Sequence, residues 1–366
     1  RQTATLLRLL LRHDIQGKQR RCCGSSSALA SATACAMSEL VSSAVVFYAL
    51  HRLLAHVEHD VDGFVIRRLP RAVQLLLRHH GKAPCDAVVD AAVALLLPLV
   101  QPRHLSSIAS VSSAVEGAPG CEIDVFRPPH APPRPPPVLI FVHGGIWSLG
   151  NRTQYRALGQ RLAAEGFVGA IVSYATWPEA SATAQAEAVR HAVRHAVRHA
   201  AAWGGDAANV YLAGQSSGAN VSALALLRDG DGPPLCAGFI GMAGPYDLEA
   251  HYGYESRRGV QHISMLAAAC EPLAAHSPTA LVRRGARLAC ERALLVHGER
   301  DITCPLRESA IFAVALASSG QNVEFVTLRD DAHLTFLVDL MAGRACVELL
   351  GHLRRFCAGG APVARL

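Results

Sequence analysis

Val210-Tyr211-Leu212-Ala213-Gly214-Gln215-Ser216-Ser217-Gly218-Ala219 is the stretch that decides how the rest of the chain is read. A short apolar run predicts a buried strand, Gly-Gln-Ser-Ser-Gly makes a turn, and a helix is predicted over 218–228. The string G-x-S-x-G alone is a weak signal. Between a strand and a helix it describes one geometry, because the glycines allow a turn tight enough to lift the serine hydroxyl above the strand ends, beside the helix N-terminus. Ser216 is therefore the candidate nucleophile, and the backbone N–H of Ser217 is a candidate donor to an oxyanion.

Outward from this turn, short apolar runs alternate with helical patterns. Strands are predicted at 123–126, 138–142, 168–173, 210–213, 238–242, 293–296 and 323–328. Helices are predicted at 153–165, 181–202, 218–228, 306–319 and 334–356. Buried strands alternating with helices predict an α/β fold, a mainly parallel sheet with helices on both faces. The loop with seven prolines between Pro128 and Pro137 is read as a hairpin connection. Three further stretches then fall at predicted strand ends. His143-Gly144-Gly145 follows 138–142, and Gly144 and Gly145 can offer backbone N–H groups to an oxyanion. Asp301 follows the strand at 293–296, and His333 follows the strand at 323–328. Parallel strands place all three at one edge of the sheet. The order Ser216, Asp301, His333 suits a triad in which serine attacks, histidine shuttles the proton and aspartate stabilises the imidazolium. Glu299 is the rival to Asp301, whereas Asp330 and Asp331 are too close to His333 in sequence and are read as loop acids. The chemistry calls for no metal and no cofactor.

With these residues in place, the chain resembles the α/β-hydrolases of the H-G-G esterase group, and within it the isoprenylcysteine methylesterases, from about residue 110 to 345. The resemblance rests on Val142-His143-Gly144-Gly145-Ile146-Trp147, Ser173-Tyr174-Ala175-Thr176-Trp177-Pro178, Gly204-Gly205-Asp206 and Gly244-Pro245-Tyr246-Asp247-Leu248. Its most specific part is His251-Tyr252-Gly253-Tyr254-Glu255-Ser256-Arg257-Arg258-Gly259-Val260, with Ser277-Pro278 beyond. It implies an α/β-hydrolase fold, hydrolysis of prenylated-cysteine methyl esters and an endomembrane location. The elbow departs from the group's commoner Gln-Ser-Ala, reading Gln-Ser-Ser. Trp147 and Tyr246 are candidate substrate-binding residues from their position beside the active loops, with core packing as the equal alternative. The interval 249–285 breaks the strand–helix rhythm and is read as a lid or insert, with apolar Ile263, Met265, Leu266 and Leu273. An arylformamidase and a broad short-chain carboxylesterase share the same residue pattern. A catalytically silent fold used for binding is the alternative from another class.

Composition narrows the partners. The chain has 366 residues, 51% hydrophobic, with a formal net charge of +6. Residues 1–38 alone hold Arg1, Arg8, Arg12, Lys18, Arg20 and Arg21 against Asp14, so the remainder is close to neutral and offers no nucleic-acid face. We divide the chain into a basic leader at 1–38, an apolar helical region at 39–112 and a catalytic domain at 113–366. The leader has two readings, an organellar transit peptide or sequence upstream of Met37. Residues 40–57 are mostly apolar but contain His51, Arg52 and His56, and residues 85–100 are apolar apart from Asp86 and Asp90, which fits packed helices or a membrane-surface association. Eleven cysteines without a C-x-x-C pair lack the usual signature of a zinc ribbon or a thioredoxin-like redox site, and their odd count suits a reducing compartment better than a disulfide framework. The repeat carrying His191, His195 and His199 is read as a solvated helix face rather than a metal site. The substrate expected is a small-molecule or prenylated-cysteine ester.

Overall fold

The computed structural model describes residues 108–359 apart from 131, 230–231, 260, 262–263 and 343–346. The leader and the apolar region up to residue 107 lie outside the described residues. The strands in chain order are β1 (Ser110–Ala114), β2 (Glu122–Phe126), β3 (Pro137–Val142), β4 (Val168–Ser173), β5 (Asp206–Gln215), β6 (Leu227–Arg228), β7 (Cys236–Met242), β8 (Arg287–Leu288), β9 (Cys290–Gly298) and β10 (Asn322–Leu328). The helices are α1 (Arg156–Ala164), α2 (Ala182–His199), α3 (Ser217–Leu226), α4 (Leu248–Arg257), α5 (Leu266–Ala269), α6 (Pro278–Arg283), α7 (Leu306–Ser318), α8 (Thr335–Met341) and α9 (Val347–Cys357).

Among the described residues, eight strands form one sheet in the order β1-β2-β4-β3-β5-β7-β9-β10, and β6 pairs with β8 apart from it. Pairing is parallel from β4 to β10 and antiparallel at β1–β2 and β2–β4. The apolar runs read as strands because both faces are covered. Alternate side chains of β3 enter different cores: Val138, Ile140 and Val142 pack in one, Leu139 and Phe141 in the other. The first core is closed by α2, α3 and α7 through Val189, Val193, Val221, Phe312 and Leu316. The second is closed by α1, α8 and α9 through Leu158, Leu162, Phe336, Leu353 and Phe356. That two-sided burial is what a parallel sheet requires, and the expected α/β layering is present.

Four expectations need correction. The proline-rich loop does not close a hairpin, because β4 lies between β2 and β3 and the loop must cross over it. The boundary set at 112/113 cuts through β1, an edge strand whose Ser110, Ser112 and Ser113 gave no apolar alternation to read. The helix predicted over 218–228 stops at Leu226, because Leu227 and Arg228 pair with Leu288 and Arg287. The last predicted helix is two, α8 and α9. The 249–285 interval holds α4, α5, a 3-10 turn (Leu273–His276) and α6, and we call it the cap.

Candidate active site

The serine turn is built by close backbone approach. Ser216 has φ 55° and ψ −129°, a left-handed conformation that costs energy for a residue with a side chain. Its N–H donates to the Met242 carbonyl at 2.9 Å, which fastens the turn to the end of β7. A Cβ at Gly218 would stand 2.3 Å from the His143 carbonyl oxygen, so only glycine lets the start of α3 lie against the end of β3. That contact brings the His143-Gly144-Gly145 loop beside the serine; a Cβ on Gly144 would fall 2.8 Å from Ser216 Cβ. Gly145 has φ +135°, and its carbonyl accepts from the N–H groups of Ser148 and Leu149 in a tight turn. Ser217 is the first residue of α3, so its N–H has no intrahelical carbonyl to reach. Gly144 thus lies against Ser216, with Gly145 next to it in the loop and Ser217 following the serine in the chain.

His143 supports this loop. It is fully buried, its Nδ1–H donates to the Gly144 carbonyl at 2.9 Å, and its ring stacks on Tyr174 with centroids 4.6 Å apart. Burial pushes its pKa down to about 4 against the opposing Gly144 bond, so the imidazole is neutral near pH 7. Tyr174 donates its hydroxyl to the His143 carbonyl at 2.8 Å.

His333 joins the two other predicted residues. Its Nε2 lies 2.9 Å from Ser216 Oγ and its Nδ1 lies 2.7 Å from Asp301 Oδ2. Ser216 is half-buried while His333 is only 6% exposed, so solvent meets this chain at the serine end. Asp301 Oδ1 accepts from the N–H groups of Thr303 and Cys304 at 2.8 and 2.9 Å. Burial opposes the charged form of Asp301, but His333 and His297 outweigh it and hold the carboxyl well below the usual carboxylate range. The rival acid is elsewhere: Glu299 accepts from the Thr327 hydroxyl on an exposed flank. Asp330 pairs with Arg300, and Asp331 accepts from Thr335, so both serve their loop.

Three residues of this site went unread in the sequence. His297 Nε2 stands 3.1 Å from Asp301 Oδ2, with both side chains fully buried. Its Nδ1 lies 2.7 Å from Ser309 Oγ and its Nε2 2.9 Å from the Cys304 carbonyl. Nε2 faces two acceptors, so it carries the proton and Nδ1 accepts from Ser309. Asp301 therefore receives two imidazole donors on one oxygen. The readable signal was its place, a histidine at the carboxyl end of a parallel strand. Gln215 donates Nε2–H to the His333 carbonyl at 3.2 Å. Asn220, one turn into α3, accepts from the Trp147 indole at 3.2 Å and donates to the carbonyls of Pro245 and His276 at 3.2 and 3.0 Å. It ties the glycine loop, the β7 loop and the cap together.

Trp147 and Tyr246 do not line an open surface. Trp147 is 2% exposed, and Tyr246 is fully buried with its ring 4.3 Å from Phe312. Both pack in the core of the loops that carry the site, the second of their two expected roles. Among the described residues no helix is long and apolar enough to cross a membrane.

Comparison with known proteins adds to this geometry. The BD-FAE family model matches residues 123–316. The chain is 26% identical over 231 residues to a probable isoprenylcysteine alpha-carbonyl methylesterase, ICME, of Oryza sativa subsp. japonica, covering 59% of this chain and 56% of that protein. It is 30% identical over 274 residues to Esterase LipQ of Mycobacterium tuberculosis, covering 69% of this chain and 64% of that protein. The chain spans about half the length of the methylesterases it matches. A hyperthermophilic esterase from the archaeon Pyrobaculum calidifontis superposes with a TM-score of 0.61 at 18% identity, over 79% of this chain and 98% of that one. That likeness shows the α/β-hydrolase fold.

Proposed function

The chain belongs to the BD-FAE family of α/β-hydrolases, and from that premise we propose that it is a serine carboxylester hydrolase acting through an acyl-enzyme. The observation that carries this reading is the unbroken relay from Ser216 Oγ through His333 to Asp301, at 2.9 and 2.7 Å. Ser216 attacks the ester carbonyl while His333 Nε2 takes its proton, and Asp301 stabilises the imidazolium. The oxyanion is held by backbone N–H groups of Gly144, Gly145 and Ser217, each donor worth on the order of 10²–10³ in rate. His333 then returns the proton to the leaving alcohol, and water releases the acid by the same steps in reverse.

The preferred substrate is a methyl ester of a prenylated cysteine, supported by likeness to plant isoprenylcysteine alpha-carbonyl methylesterases at 26–29% identity. The likeness to LipQ favours a second reading, a short-chain carboxylesterase of wider scope. A panel of farnesylcysteine methyl ester, p-nitrophenyl butyrate and N-formylkynurenine, compared by kcat/KM, separates them. A preference for the farnesylcysteine ester supports the first reading, preference for the butyrate the second, and preference for the formamide overturns both. Ser216→Ala should lose on the order of 10⁴–10⁶ in turnover on the best substrate. Undiminished cleavage by that variant would remove the serine from the mechanism.

A further inference from the structure

A second cluster of reactive side chains lies directly behind the triad aspartate, and the relay above uses none of them. His251 and Glu255 are on α4 of the cap, Cys304 follows Asp301 in the loop, and Glu308 is on α7. His251 Nδ1 is 2.9 Å from Glu308 Oε1, while Cys304 Sγ is 3.9 Å from Glu308 Oε2. One atom from each of His251, Cys304 and Glu308 lies within 4.8 Å of the others. These residues are 5%, 1% and 1% exposed. From this geometry we propose that His251 Nδ1, Cys304 Sγ and the Glu308 carboxylate form a buried structural site for a zinc-type divalent cation, joining the cap to the loop of the triad aspartate.

The donor set fits that ion. Nitrogen, thiolate sulfur and carboxylate oxygen together select a borderline-soft cation such as zinc over magnesium or calcium. Tetrahedral bonds of about 2.0 Å to nitrogen and oxygen and about 2.3 Å to sulfur leave ligand atoms roughly 3.3–3.6 Å apart. The observed 2.9 and 3.9 Å separations reach this by shifts of less than an ångström. Glu308 turns one oxygen to the histidine and the other to the thiol, so it can bind through both. The fourth residue supplies what a metal-bound histidine needs. Glu255 Oε1 lies 3.4 Å from His251 Nε2, the ring nitrogen away from the proposed ion, where a carboxylate orients the imidazole. Its Oε2 is buried and lacks a hydrogen-bond partner among the described residues, and Glu255 is only 8% exposed.

Zinc binds the deprotonated forms of these ligands, so the ion would displace the protons on His251 Nδ1, which faces Glu308 Oε1, and on the Cys304 thiol. The Cys304 N–H already holds Asp301 Oδ1 at 2.9 Å, so an ion on its sulfur would brace the aspartate loop from behind.

The test uses the full chain, stripped by chelation and titrated with zinc chloride alone, then desalted for metal analysis; cobalt chloride serves for spectroscopy. The expected result is about one zinc per chain, about two protons released per zinc and a thiolate-to-cobalt charge-transfer band. Cys304→Ala should remove the band and weaken zinc at least a hundredfold. Glu255→Gln should weaken it about ten- to a hundredfold, and Ser216→Ala should bind as wild type does. If Cys304→Ala does not fold, Cys304→Ser keeps the volume and must still lose the band, with its circular dichroism unchanged. Folded wild type that retains no zinc, or a cysteine variant that keeps both band and affinity, overturns the site.

Discussion

Gly145→Ala separates a glycine needed for catalysis from one needed only for folding. A Cβ at this position would lie 2.2 Å from the Leu149 carbonyl oxygen, and Gly145 has φ +135°. Ordinary contact begins near 3.4 Å, so the 145–149 turn must open by about 1 Å. A displacement of that size at a reacting group costs on the order of 10²-fold, and loss of one oxyanion donor costs about 10²–10³, or roughly 2.7–4 kcal/mol. The expected kcat for p-nitrophenyl butyrate is therefore down by 10²–10³, with KM little changed. Gly166→Ala and Gly320→Ala are the controls. They have φ of +89° and +76° with nothing within 4 Å of the added carbon, so they carry backbone strain and no clash. That strain is about 1–2 kcal/mol, which lowers Tm by a few degrees and leaves kcat alone. Active sites are counted with a phosphonate that labels Ser216, so misfolded protein is not read as lost rate. A Gly145→Ala enzyme within threefold of wild-type kcat, on an equal count of active sites, would refute the assignment of this loop to the oxyanion.

Other perturbations follow from the same contacts. His297→Leu removes a donor from Asp301, and a hydrogen bond to a charged group is worth about 1.5–3 kcal/mol, so kcat should fall about ten- to a hundredfold. An unchanged kcat in that variant would reduce His297 to packing. His143 takes up a proton near its ordinary value of 6.5 when unfolded but only near 4 when folded. The unfolded chain therefore binds more protons in that window, and stability falls as pH drops from 6.5 to 4, by roughly 3 kcal/mol from this residue. Urea unfolding across that range should show a shallower fall in His143→Gln than in wild type, and parallel slopes would count against it. Asn220→Ala leaves the Trp147 indole and two buried carbonyls unpaired, so Tm should fall by the equivalent of about 1–3 kcal/mol, and cap protease sites should open first.

The proximity of Ser216, His333 and Asp301, the proposed triad, was legible because each sits just past a strand that announces itself by apolar composition, and parallel strands deliver their ends to one edge. Nothing local marks the contacts that cross between segments. His251 precedes Cys304 by 53 positions, and only the folding of the cap onto α7 brings them together. Trp147 and Tyr246 were left between two roles for a related reason: closeness to an active loop in sequence does not say which way a ring turns, and both turn inward. β1 was invisible because an edge strand with serines at 110, 112 and 113 has no buried face to show as alternation. Where burial imposed a period the sequence displayed it, and where pairing alone made the structure it did not.

The two cores lie on opposite sides of the sheet, and the relay draws one member from each. Ser216 heads α3, which belongs to one layer, while His333 precedes α8, which belongs to the other. Their 2.9 Å hydrogen bond is thus a caliper set across the thickness of the sandwich, steadied by Gln215 reaching the His333 carbonyl. A repacking of either layer that slides it by half an ångström should register first as slower turnover and only later as a lower melting temperature.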